Sequence, residues 1–156
     1  MNPHRRTILA SSIAALLAGA SAHAATLFYD GTNANVAGNG NGASAGGAGT
    51  WSTAIANWDV GVAPHVVWSN SFADTASFGG AGAVAVTVSG TVQVGTVSIN
   101  SNTYTFNTGT IDFGSGGAGV IDFNNTNSSV INALLSGVAP KEISRPVPKN
   151  PEPAPE

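Results

Sequence analysis

Several groups of residues in this chain have the types and spacing that chemistry uses. Gly42-Ala-Ser44-Ala-Gly46 fits the Gly-x-Ser-x-Gly pattern of a serine nucleophile, and Asp59 and His65 follow in the chain order of a hydrolase triad. Gly114-Ser-Gly116-Gly-Ala-Gly119 fits the dinucleotide fingerprint, in which glycines let a pyrophosphate approach a helix N-terminus. Asp112-Phe-Gly114 matches a kinase triplet that holds magnesium. Asp112 and Asp122, if stacked on neighbouring coils of a β-structure, would offer oxygen ligands to a hard cation, or a carboxylate pair to a glycan. Trp51, Trp58 and Trp68 could stack on sugar rings or fill the end of a core.

Each pattern must be placed on the element its chemistry needs, and most lack it. A nucleophile elbow joins a strand to a helix, whereas Ser44 lies in a Gly/Ala/Asn stretch where such a match arises by chance. The dinucleotide motif must open a helix, yet Gly119 precedes the strand-like Val120-Ile-Asp-Phe123. The kinase triplet needs a lysine for the phosphates. Lysine and arginine occur only at Arg5, Arg6, Lys141, Arg145 and Lys149, so residues 25–140 have none, against five aspartates. Such a body cannot neutralise phosphates, which argues against nucleic acid and anionic membranes as partners. It also lacks the basic groups that would stabilise the anion of a polysaccharide lyase. His65 is the one histidine after residue 24, which excludes a cluster of histidine ligands, and without cysteine there is no thiolate site or disulfide. No catalytic residue, metal or cofactor is expected, and the chain is not expected to be an enzyme. The tryptophans are assigned to a structural cap, with a glycan platform as the alternative.

What positions these residues is β-structure. From Ala83 to Phe123, β-branched and aromatic residues alternate with Thr, Ser, Gln, Asn and Asp, and Gly or Asn clusters interrupt the run every few residues. This period of two marks short strands with one buried face. Charged residues are only 8% of the chain while glycines number 20, a composition suited to weakly charged β-structure outside the cytosol. Gly109-Thr-Ile-Asp-Phe-Gly114 recurs as Gly119-Val-Ile-Asp-Phe-Asn124, each unit turning Ile and Phe inward and Asp outward. The pattern predicts an all-β fold, a short β-solenoid of two to three coils at roughly twenty residues each, with a small β-sandwich as the alternative.

The ends differ from this body. Residues 1–24 read as an export signal, with Arg5 and Arg6, an apolar run from Ile8 to Ala20, and the cleavage motif Ala22-His23-Ala24 before Ala25. The apolar run is short of the roughly twenty residues needed to span a bilayer. Its paired arginines permit a twin-arginine route beside ordinary Sec export. Thr26 to Gly31 is a strand ending in a turn, and Asn33 to Gly49 is expected to be a flexible loop. Six of the eight prolines lie in residues 140–156, which read as a disordered or semi-rigid tail. The organisation expected is signal peptide 1–24, strand and Gly/Asn/Ala-rich loop 25–50, tryptophan cap 51–82, solenoid coils 83–137 and tail 138–156.

The order Tyr29-Asp-Gly-Thr32, Gly47-Ala-Gly-Thr-Trp-Ser-Thr53, Ala56-Asn-Trp-Asp59, Val66-Val-Trp-Ser-Asn70 and Ala73-Asp-Thr-Ala-Ser-Phe-Gly-Gly80 resembles the N-terminal segment of bacterial autotransporter-associated β-strand repeat proteins. The likeness continues through residues 86–106 and 128–137 and covers about 26–137. The resemblance implies the start of a right-handed parallel β-helix passenger, exported to the cell surface or extracellular space through the periplasm. There it would cap and nucleate a β-helix stack, with adhesion or polysaccharide binding as the alternative. Further solenoid repeats or like strands are the partners implied, with no transmembrane span in the mature chain. This chain lacks the long repeat array and the outer-membrane barrel strands typical of that family.

Overall fold

The computed structural model describes residues 24–31, 40–80, 83–101, 103–115, 119–137 and 142–144, the last stretch as backbone only. Thirteen strands and no helix occur among them. They stack as three walls of parallel strands in register. The first wall joins β1 (Thr26–Tyr29), β5 (Ser71–Phe78), the second half of β7 (Thr91–Ile99), β10 (Val120–Phe123) and β13 (Glu142–Ser144). The second wall runs β2 (Gly49–Trp51), β6 (Val84–Val88), β8 (Tyr104–Asn107) and β11 (Val130–Ile131). The third holds the first half of β7, β9 (Thr110–Asp112) and β12 (Leu134–Ser136).

The alternation in sequence becomes columns in space. Leu27 pairs with Ala76, Ala76 with Val97 and Val97 with Ile121, and all four are buried. Between them run Thr75, Thr96 and Val120, whose pairing makes one coil roughly 20–25 residues long. Val92 and Ile111 form the equivalent buried column in the third wall. Strand β7 is shared by two walls, with Gly95 at the junction. A side chain there would collide with the carbonyl oxygen of Phe72, so the corner requires glycine. Parallel walls identify a solenoid and exclude the β-sandwich, whose sheets are antiparallel.

Two expectations about this stack are corrected. The ten-residue recurrence is not a coil. Asp112 lies on β9 in the third wall between Gln93 and Ser136, whereas Asp122 lies on β10 in the first wall between Ser98 and Ser144. Ten residues carry the chain around a corner rather than once around the stack, so the two carboxylates share neither a cation nor a glycan. The stack also extends beyond 83–137. Strands β1, β2 and β5 are rungs of it, and Glu142–Ser144 pairs in parallel with β10 inside the stretch expected to be disordered. The rest of the tail and residues 1–23, including Ala22, lie outside the described residues, while Ala24 is described and exposed.

Among the described strands, only β3 (Ala56–Asp59) and β4 (Val66–Val67) break the parallel rule. β3 pairs antiparallel with β1, and β4 antiparallel with β3, at the N-terminal edge of the first wall. Beneath them Trp51, Trp58 and Trp68 meet one another at ring separations of 5.5, 5.2 and 4.6 Å. Phe78 joins them and continues the aromatic contacts to Phe106 and Tyr104 at 4.8 and 5.3 Å. The three indoles are 0%, 0% and 1% exposed, so none presents a face to a sugar ring. Trp68 Nε1 donates to the Gln93 carbonyl at 2.9 Å, tying this end to the third wall. Phe28 is half-buried, and Phe72 is exposed, lying against the backbone of Gly114. Tyr29 joins the cluster, 5.2 Å from Trp58.

Removing one ring from this cluster leaves a void that rigid neighbours cannot fill. Trp58→Ala is expected to lower stability by about 3–5 kcal/mol, seen as a large drop in melting temperature by circular dichroism. An unchanged melting temperature would refute the role given to this cluster.

Candidate functional site

The densest group of chemically capable side chains lies on the outer side of β1 and β3. Asp30 follows β1, and the antiparallel register that sets Tyr29 beside Trp58 brings Asp59, the last residue of β3, close to it. His65 immediately precedes β4. One ligand atom from each of Asp30, Asp59 and His65 falls within 4.8 Å of the others. All three are buried, at 3%, 0% and 7% exposure. His65 Nε2 lies 2.5 Å from Asp30 Oδ2.

A strap of backbone covers the group. Asp59 Oδ2 accepts from the amides of Gly40, Asn41 and Gly42 at 3.1, 2.9 and 3.1 Å, and its Oδ1 accepts from Gly61 at 2.5 Å. Asp30 Oδ1 accepts from the Ala45 amide at 2.6 Å. The Ser44 hydroxyl donates to the Tyr29 carbonyl and accepts from the amides of Gly46 and Gly79 at 3.3 and 3.0 Å. Gly31, at φ 56°, sits so close beneath Gly46 and Gly47 that any side chain would strike their carbonyl oxygens. Residues 40–48, expected to be part of a flexible loop, are therefore tied to the stack. Residues 32–39 lie outside the described residues.

This arrangement decides what the group can do. Two carboxylates and an imidazole are a plausible ligand set for a divalent cation. Here, however, four amide N–H groups point at Asp59, and converging amides form a nest for negative charge. A cation would have to displace them. Asp59 serves as the anchor of the strap, with Asp30 and His65 as a second tie. Asp59 and His65 lie together, but Ser44 does not complete a triad with them. The Ser44 hydroxyl gives its single proton to a backbone carbonyl, and His65 Nε2 faces Asp30. The remaining motifs stay apart from this group. Gly119 leads directly into β10, with 116–118 outside the described residues, and Asp112 accepts from Gly114 N and the Ser136 hydroxyl at 3.1 and 3.0 Å as a turn residue. Asp122 accepts from Asn124 in an exposed polar cluster.

The sequence pattern set Asp59 and His65 beside Ser44 and put Asp30 in a turn, so the gathering of Asp30, Asp59 and His65 was missed. The one available signal was a shortage of cations. Aspartates that must be buried without lysine or arginine need backbone donors, and the glycine-rich stretch supplies them.

Two phenols border the strap. Burial holds the Tyr29 hydroxyl well above its usual range, with the neighbouring Tyr104 adding to the effect. Tyr104 is pushed up to about 12 by burial first, with the Asp30 charge adding and the Ser44 hydroxyl opposing. A raised folded-state value favours the neutral phenol, so this stability is complete below the ordinary tyrosine value of 10.0 and is lost as pH rises towards about 12. Tyrosinate absorbance is expected to appear in that window together with loss of β-structure. Ionisation near 10.0 with the fold intact would contradict it. Asp59→Ala, which orphans the strap amides, is expected to cost about 2–4 kcal/mol and to speed hydrogen exchange at Gly40, Asn41 and Gly42. Unchanged protection at those amides would remove Asp59 as the anchor.

No protein-family model matches the chain, and no solved structure matches it. The chain is similar to the Adhesin BmaC autotransporter of Brucella suis biovar 1 (strain 1330), with 31% identity over 136 residues. That alignment takes in 85% of this chain but only 4% of the relative's length. The likeness relates this all-β chain to one stretch of an autotransporter protein.

Proposed function

We propose that the chain is a non-catalytic, exported surface module of passenger type, whose coils start a β-solenoid and template further coils upon it. The observation that carries this reading is the asymmetry of the two ends. At the N-terminal end, antiparallel β3 and β4 lie over the tryptophan cluster, so the parallel register stops there. At the other end, β11 and β12 are the outermost strands of their walls among the described residues. They present Val130, Leu134 and Leu135 at 47%, 65% and 38% exposure. β13 already adds a rung to the first wall there. Free strand edges with apolar side chains recruit more strand, and each added coil of a solenoid gains a nearest-neighbour interface.

In this reading Trp51, Trp58 and Trp68 are cap residues, and the partners are further solenoid coils. The similarity to an autotransporter adhesin supports export and a place at the cell surface. It also supports an adhesive role as a second reading. A neutral surface polysaccharide suits the polar outer face better than an anionic ligand does, because residues 25–140 have aspartates but no lysine or arginine.

The templating reading is tested by fusing a second copy of residues 96–137 directly after Gly137. A single cooperative unfolding transition at a higher melting temperature is expected. Two separate transitions, or no gain over the original chain, would refute it. The adhesive reading is tested separately, by binding of the intact chain to immobilised neutral polysaccharides.

A further inference from the structure

Three of the five aspartates in residues 25–140 are buried, and each solves the problem of its charge differently. Asp59 has four backbone amides, and Asp30 has His65. Asp74, 4% exposed on β5, accepts from the Ser69 hydroxyl at Oδ2 and from the backbone nitrogen of Ala25 at Oδ1, 2.9 Å away. Ala25 is held there by the sheet. Its carbonyl accepts from the Thr75 amide at 2.8 Å, and the next residue, Thr26, is in register with Thr75.

Ala25 is also the residue that follows the export-signal motif Ala22-His23-Ala24. We propose that buried Asp74 is a built acceptor for the α-ammonium group freed by removal of the signal, so that processing completes the first coil. The step is a hydrolysis. Water adds across the Ala24–Ala25 peptide bond, Ala24 leaves with the new carboxylate, and the Ala25 nitrogen takes up a proton to become an ammonium. A neutral amide donor beside Asp74 is thereby replaced by a full positive charge on the same atom. The chemistry favours the exchange for a specific reason. The carboxylate has already lost its water through folding, whereas Ala25 is exposed and its ammonium can keep solvent on its open side. The usual desolvation penalty of a buried ion pair is thus mostly absent. No side chain in residues 25–140 offers a lysine or arginine for this role.

The proposal rests on the export reading above, and the test separates the two. The full chain is exported from a bacterial host, and the mass of the product locates its N-terminus. A terminus elsewhere than Ala25 overturns the cleavage reading and the ammonium site with it. With Ala25 first, the product is compared with a form that begins one residue earlier, at Ala24, in both the wild-type and the Asp74→Asn background. The extension is expected to lower the melting temperature by about 5 °C with Asp74 and to have no effect with Asp74→Asn. An equal effect in both backgrounds, or none in either, overturns the proposal. Should Asp74→Asn not fold, acylation of the α-amine in the native wild-type product decides the matter. Protection that is lost on denaturation supports the site, and ready labelling of the folded protein overturns it.

Discussion

A stack of parallel strands satisfies its backbone only in its middle. Each end exposes a rung of N–H and C=O groups above an apolar interior, and the first rung of this chain depends on how that end is closed. At the N-terminal edge of the stack the strand direction switches. β3 and β4 pair antiparallel at the edge, and the chain between the first and second rungs supplies Trp51, Trp58 and Trp68 to fill the space beneath. Large rings fill this end by packing on one another, whereas the column behind it is built of Leu27, Ala76, Val97 and Ile121. Aromatic contacts then pass from Trp58 through Phe78 to Phe106, coupling the closed end to the coils behind it.

The second constraint is electrostatic. A body with five aspartates and no lysine or arginine cannot bury charge by pairing it with either of those side chains. The fold uses backbone instead. The glycine-rich strap folds so that three successive amides reach one oxygen of Asp59, a geometry that bulky side chains would obstruct. The same residues whose spacing imitates a hydrolase are those that anchor the strap over the cap. Ser44 and His65 contribute ties of the same kind. Chemistry-bearing residues are here spent on holding a glycine-rich segment in place, a need that arises because such a segment has almost no apolar side chains to anchor it.

The functional reading follows from these two constraints together. At one end antiparallel strands lie over the tryptophan cluster; at the other, among the described residues, β11 and β12 are the outermost strands of their walls and carry exposed Val130, Leu134 and Leu135. Such an object is suited to being extended and displayed. Its relation to one stretch of an autotransporter adhesin agrees with that use.

The all-β class and the inward columns were readable in the alternation itself, because a strand with one buried face must repeat every two residues. The three tryptophans were readable as core for a related reason, since rings of that size are costly to leave in water. Two features were decided only in three dimensions. The wall on which a strand lies depends on where the chain turns. The alternation slips by one residue at Gly95, from Val92 and Val94 to Val97 and Ile99, but such a slip does not say which strand the next stretch will pair with. Two similar segments ten residues apart therefore ended on different walls, and Asp112 never meets Asp122. The grouping of Asp30, Asp59 and His65 depends on the antiparallel register of β3 against β1, a pairing across some thirty residues that local pattern does not encode. Sequence determined which apolar residues must be buried, through their polarity and period. Tertiary structure decided which of them meet, through register.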